Sequence, residues 1–204
     1  MRNYLFIFFS LIFFACVNAG ESLKIGKKAP LADKLMKDVS GAEVSLNSLK
    51  KENGLLVIFS CNTCPFVVGN FINEGWEGRY NDVYDISQKN NIGMVLINSN
   101  EAKRLGVDSY EAMVKQSNKM NYKASYALDK NHKIADAFGA KTTPHIFLFD
   151  KNMKLVYKGS IDDSVKSKEK VKEYYLKNAM INLTNEKEIN PKETKNIGCS
   201  IKRI

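Results

Sequence analysis

The chain has 204 residues, 44% hydrophobic and 26% charged, which suits one globular domain with a full core and leaves too little chain for two. The formal net charge is +9, yet the lysines are interleaved with acids, as in "KSKEKVKE". That excess reads as a solvated helix face and argues against a nucleic-acid partner.

Arg2 is followed by an apolar run from Tyr4 to Ala15, too short to span a bilayer, and then by small residues. This is the pattern of a secretory signal, residues 1–19, with cleavage expected after Ala19. Ala15-Cys16 offers a second junction, a lipoprotein signal ending before Cys16, whose lipidation would anchor the chain to a membrane. An uncleaved signal would anchor it too. Loss of the signal removes Arg2 and takes the charge to +8. The expected location is outside the cytoplasmic membrane, secreted or periplasmic. Three of the four cysteines, Cys61, Cys64 and Cys199, then remain in the folded part, an odd count that flags a lone thiol.

A single domain is expected over 20–185. "GAEVSLNSL" alternates Val44, Leu46 and Leu49 and suggests a short strand or hairpin at its start. "GLLVIFS" is a continuous apolar run, the signature of a strand buried on both faces of a parallel or mixed sheet. A helix is expected to begin within Cys61 to Pro65, to loosen around Gly69 and Gly75-Trp76-Glu77-Gly78, and to resume through "YNDVYDISQKN". "IGMVLINSN" reads as a second buried strand. Asp108 with Glu111 three residues on resembles a capping box for a helix running to Met120. "HKIADAFGA" is a shorter helix ending near Gly139, and "PHIFLFD" and "KLVYKGS", separated by Lys151-Asn152-Met153, form a hairpin. Leu176, Ala179, Met180 and Leu183 mark the inner face of a last helix. Alternating elements, a closing hairpin and a final helix describe an α/β fold with a mixed central sheet flanked by helices. Residues 186–204, with Cys199, read as an extended tail.

Cys61 and Cys64 stand at the carboxyl end of the first buried strand, where sites in open α/β sheets gather. Unpaired N–H groups at a helix start favour a thiolate, lowering such thiols to about 3.5–7.5 from about 8.5. Cys61 is therefore the expected attacking sulfur, and Cys64, one helical turn on, the resolving one. Pro65 fits the first helical turn because it has no N–H to leave unpaired. As a structural staple a loop this short would add little stability. Zinc would need a second cysteine pair or histidines at ligand spacing, and the chain has only His132 and His145. No metal or other cofactor is expected. Pro144, opening a strand near the sheet centre, suggests a cis peptide beside the site. His145 should alternate away from it. Asp162-Asp163 suggests a cap for the last helix or for a turn.

These residues give the chain a resemblance to the thioredoxin-like superfamily, in its AhpC/TSA or redoxin branch, from about Ile25 to the C-terminus. It rests on Cys61-Asn62-Thr63-Cys64-Pro65, Ile97-Asn98-Ser99-Asn100, Thr142-Thr143-Pro144, the segment Tyr157 to Asp163, and the tail Gly198-Cys199-Ser200-Ile201-Lys202. It is similar to a subgroup with a C-N-x-C-P centre and a G-C-S-I-K tail. The resemblance implies a thioredoxin-like fold, a cis-Pro144 facing the Cys61–Cys64 pair, and a Thr143 backbone that pairs with an extended substrate segment. Departures are visible. Ser60 stands where the family commonly has Trp, and "GLLVIF" carries no buried acid. The positions where peroxiredoxins keep Thr and Pro hold Ile58 and Gly54.

The function expected is a secreted thiol–disulfide oxidoreductase that exchanges disulfides with protein thiols and an unidentified redox partner. A thiol peroxidase is the alternative enzyme. A protein holding copper or another soft metal through Cys61, Cys64 and Cys199 is the alternative of another class. Cys199 is read either as a packed side chain or as a third thiol that folds back to the centre.

Overall fold

A computed structural model describes residues 21–204; the signal-like segment, Ala19 and Cys16 lie outside the described residues. The chain first makes a small antiparallel hairpin, β1 (Met36–Asp38) with β2 (Glu43–Val44), and then a short helix α1 (Leu46–Leu49). The alternation expected to run through Leu49 therefore stops at Val44. The Ser45 hydroxyl accepts the Ser48 N–H at 3.1 Å and the Ser48 hydroxyl accepts the Ser45 N–H at 2.8 Å. This capping box turns the following residues into a helix.

The long apolar run is β3 (Gly54–Ser60), buried along its whole length. After it come α2 (Pro65–Val68), α3 (Tyr80–Lys89), β4 (Ile92–Asn98) and α4 (Tyr110–Met120). β5 (Ser125–Leu128), α5 (Lys133–Phe138), β6 (Thr142–Thr143), β7 (His145–Phe149) and β8 (Leu155–Gly159) follow. The chain ends with α6 (Tyr175–Thr184) and, in the tail, β9 (Cys199–Ser200).

Seven strands form one mixed sheet in the order β2-β1-β5-β4-β3-β7-β8. β3 pairs parallel with β4 and antiparallel with β7, and the expected hairpin pairs β7 with β8. The fold is thioredoxin-like, with helices on both faces. β3 divides its side chains between two cores. Leu56 and Ile58 pack with Cys61, Cys64, Trp76, Tyr80 and Met180 on one face, and Leu55, Val57 and Phe59 pack with Phe138, Phe147 and Ile201 on the other. Each such side chain contributes about 1.5–3 kcal/mol when fully buried, so this strand is a firmly held platform for a site.

Two expectations are corrected and one is met in its second form. Asp108 does not cap α4: the Ser109 hydroxyl does, accepting the Ala112 N–H at 3.1 Å, while Asp108 turns inward. "KSKEKVKE" is not a helix face but an exposed 3-10 turn and extended chain ahead of α6. Asp162 caps a turn and not the last helix: its Oδ1 accepts the Ser164 N–H at 3.0 Å, and the side chain is buried against Trp76 and Arg79. Among the described residues, no helix is long and apolar enough to cross a membrane.

Candidate active site

The carboxyl end of β3 delivers Cys61, and the chain then turns through Asn62 and Thr63 before Cys64 caps α2 with Pro65 at its first position. Cys61 thus precedes the helix instead of lying on it, and α2, only four residues long, has little macrodipole to offer. A single amide does the expected work: the Cys64 N–H donates to Cys61 Sγ at 3.3 Å. Cys61 Sγ also lies 3.1 Å from the Thr143 hydroxyl, and as a thiol Cys64 donates to the Thr143 carbonyl oxygen at 3.1 Å. The Thr143-Pro144 peptide is cis.

Both cysteines are free thiols, close enough that each shifts the other, so they titrate as a unit. The interaction with Cys61 lowers Cys64 to about 5. The interaction with Cys64, with burial, pushes Cys61 above the ordinary thiol range. One proton leaves the pair easily and the other is retained. These shifts put the negative charge on Cys64; a proton passed from Cys61 to Cys64 would move it to Cys61, where it meets the Cys64 N–H and the Thr143 hydroxyl.

The turn between the cysteines is fixed from outside. The Asn62 N–H donates to Asp108 Oδ1 at 2.9 Å, its Nδ2 donates to the Val107 carbonyl at 2.9 Å, and its Oδ1 accepts the Tyr126 hydroxyl at 2.9 Å. Asp108 also accepts Asn98 Nδ2 at 2.8 Å and Asn100 Nδ2 at 3.0 Å. Sequence reasoning took Asp108 for a cap and gave Tyr126 no role. Asn98-Ser99-Asn100, at the end of β4 beside the cysteine strand, was the visible signal. Ser60, in the place of the family's usual Trp, shares a 3.0 Å hydrogen bond with the Tyr80 hydroxyl.

His145 is buried away from the sulfurs: its Nδ1 accepts the Lys141 N–H at 3.3 Å, its ring lies on Phe147, and burial lowers it to about 3. Cys199 lies at the centre. β9 pairs antiparallel with β6, Cys199 opposite Thr143 and Ser200 opposite Thr142. The Cys199 N–H donates to Cys64 Sγ at 3.4 Å. The backbone edge expected to receive a substrate segment therefore holds the chain's own tail. Among the described residues, no group of three or more His, Cys, Asp or Glu side chains is arranged to hold a metal ion.

The model of the AhpC/TSA family matches residues 25–158, which reach every strand of the large sheet. The chain belongs to the AhpC/TSA family. The family match ends before the tail, so Cys199 lies beyond it. No curated protein sequence matches the chain. Among solved structures, an uncharacterized conserved protein from Geobacillus kaustophilus is 30% identical, with TM-score 0.79, covering 89% of this chain and 93% of that one. A hypothetical protein from Sinorhizobium meliloti 1021 is 29% identical, with TM-score 0.79, covering 90% and 97%. The peroxidoxin BcpB from Mycobacterium tuberculosis shares the fold at 16% identity, with TM-score 0.58, covering 80% and 97%. Family and fold together assign the chain to thioredoxin-like redox proteins, whose general chemistry is oxidoreduction.

Proposed function

We propose that this AhpC/TSA protein is a thiol–disulfide oxidoreductase, acting outside the cytoplasmic membrane on protein disulfides. One observation carries the reading: two free thiols side by side at the end of the central strand, with the Cys64 N–H and Thr143 hydroxyl at Cys61 Sγ. With the charge on Cys61, its sulfur attacks one sulfur of a partner disulfide, forming a mixed disulfide and releasing the other partner sulfur as a thiolate. Cys64 then attacks Cys61 Sγ, the Cys61–Cys64 disulfide forms, and the second partner sulfur leaves. Two electrons have passed to the partner, and the reverse steps oxidise a partner dithiol. Leu105 and Val107 are exposed on the loop that holds Asn62, an apolar rim beside the centre suited to a polypeptide partner. The Arg2-led apolar segment supports the extracytoplasmic setting.

The test is insulin disulfide reduction by the purified protein with dithiothreitol as donor. Cys61→Ser should fall to the uncatalysed rate, and full activity in that variant rejects the reading. A thiol peroxidase is the second reading, favoured by burial: Cys61 is only 1% exposed, an opening better suited to a peroxide than to a polypeptide. Fast formation of a sulfenate on Cys61 with hydrogen peroxide, without insulin turnover, would select it.

A further inference from the structure

The tail is anchored on both sides of Cys199. Before it, Asn196 Nδ2 donates to the Thr142 hydroxyl at 2.6 Å. After it, the Ile201 N–H donates to the Lys141 carbonyl at 3.0 Å, and the Lys202 N–H donates to Asn100 Oδ1 at 2.9 Å. Arg203 reaches the Ala140 carbonyl at 2.6 Å, and Ile201 is buried in the core opposite the one that contains the cysteine pair. The tail thus crosses the carboxyl end of the sheet with Cys199 at the crossing. Gly198 allows the approach, because a Cβ there would lie 2.3 Å from the Thr143 carbonyl oxygen.

None of this anchoring needs a sulfur at 199. Yet the Cys199 N–H points at Cys64 Sγ at 3.4 Å, with Cys199 paired opposite Thr143, so the third thiol is held beside the pair. Access differs as well: Cys61 is 1% and Cys64 4% exposed, whereas Cys199 is only half-buried.

We propose that Cys199 is a third redox thiol of the centre, one that takes Cys64 out of the Cys61–Cys64 disulfide and presents the new bond to an external dithiol reductant. The proposal rests on the redox reading of the Cys61–Cys64 pair. Cys199 Sγ attacks Cys64 Sγ, the Cys64–Cys199 bond forms, the Cys61–Cys64 bond breaks, and Cys61 leaves as a thiolate that takes the proton given up by Cys199. No net oxidation occurs in this step. A dithiol donor then attacks Cys199 Sγ, passes two electrons to the Cys64–Cys199 bond and becomes a disulfide, while Cys64 and Cys199 return to thiols. Cys61 is regenerated without the donor having to reach it. The tail occupies the edge strand that a partner peptide would otherwise pair with, so the donor is received at the sulfur of Cys199 and not along Thr142-Thr143.

The test is disulfide mapping of the full chain after oxidation with diamide, with remaining thiols blocked at acid pH. Wild type should yield both a Cys61–Cys64 and a Cys64–Cys199 linkage. Cys61→Ser should yield Cys64–Cys199 alone. Gly198→Ala, which pushes the tail off Thr143 and keeps all three thiols, should lower the Cys64–Cys199 yield at least several-fold and preserve Cys61–Cys64. If Cys61–Cys64 forms and insulin is reduced, but Cys64–Cys199 is missing even from Cys61→Ser, the third-thiol proposal falls and the exchange reading stands. If wild type forms no Cys61–Cys64 linkage and reduces no insulin, the exchange reading itself falls and takes the third-thiol cycle with it.

Discussion

Asp108 accepts the backbone N–H of Asn62 at 2.9 Å across 46 residues of sequence, and so ties the turn between the two cysteines to the loop after β4. Its carboxylate also receives the side-chain amides of Asn98 and Asn100. Replacing it removes acceptors from three donors at once, and a buried donor left unpaired costs about 1–3 kcal/mol. Asp108→Ala is expected to lose about 3 kcal/mol or more, read as a lower urea midpoint at unchanged slope. Asp108→Asn, which keeps one oxygen acceptor, should lose less. Both variants should also alkylate at the cysteine pair at a changed rate, because Asn62 no longer fixes the turn. An unchanged alkylation rate in Asp108→Ala would show that the turn holds itself.

The thiol pair gives reduced protein a pH-dependent stability whose sign follows from the directions of the two shifts. Cys64 is depressed to about 5 from 9.0, so its contribution is present above the unfolded value and lost as pH falls through about 5. Cys61 is raised, so its contribution is full below the unfolded value and lost as pH rises beyond it. Together they make the reduced protein gain stability from pH 5 upward, up to the ordinary thiol range, and lose it beyond. Urea midpoints of reduced wild type measured against Cys64→Ser across that range isolate the effect. Parallel curves for the two proteins would contradict it.

Much of this arrangement was legible in the sequence. The uncharged run from Gly54 to Ser60 announced a strand buried on both faces, and β3 is that strand. Thr143-Pro144 announced a cis peptide at the centre, and it is there. β1 and β5 escaped because strands of three and four residues are too short to show an apolar pattern; they are held by pairing with each other, Lys37 opposite Leu128, and by Asp38 Oδ1, which accepts the Tyr126 N–H at 2.8 Å. The roles of Asp108 and Tyr126 escaped because they depend on contacts far apart in sequence. Cys199 showed as a thiol in the tail, but its place opposite Thr143 depends on long-range pairing that no local pattern encodes.

His145 sits one residue from the cis peptide, buried with its ring on Phe147. Burial and the nearby charges of Lys158 and Lys141 lower it to about 3 from 6.5. It is therefore neutral in the folded state across pH 5–8, and as pH falls below 6.5 the unfolded chain takes up a proton that the folded one refuses, which costs stability. In a pH titration followed by imidazole NMR, the His145 signals should stay fixed between pH 5 and 8. A midpoint near 6.5 would contradict the burial argument.

Asp162 is the acid on which the segment around Trp76 hangs. Its Oδ1 accepts the Trp76 indole N–H at 2.8 Å, and its Oδ2 pairs with Arg79 Nη1 at 2.6 Å, with both charged side chains buried. Fully stranding a buried charge costs about 3–5 kcal/mol, whereas replacing both partners by apolar groups can be neutral. Without Asp162, Arg79 keeps the Ser164 carbonyl at 2.7 Å and the half-exposed Glu74 at 3.5 Å, so Asp162→Ala should lower the urea unfolding free energy by up to about that amount, and Arg79→Met combined with Asp162→Leu should lose less than Asp162→Ala alone. Trp76 is the chain's only tryptophan, so its emission reports the loss directly, with a red shift in Asp162→Ala if the freed indole N–H turns to water. Equal losses in the single and double variants would mean that the stranded charge is not what destabilises the protein. The segment would then be held by the packing of Trp76 and Tyr80 against Cys64 and the α6 face, and not by its acid.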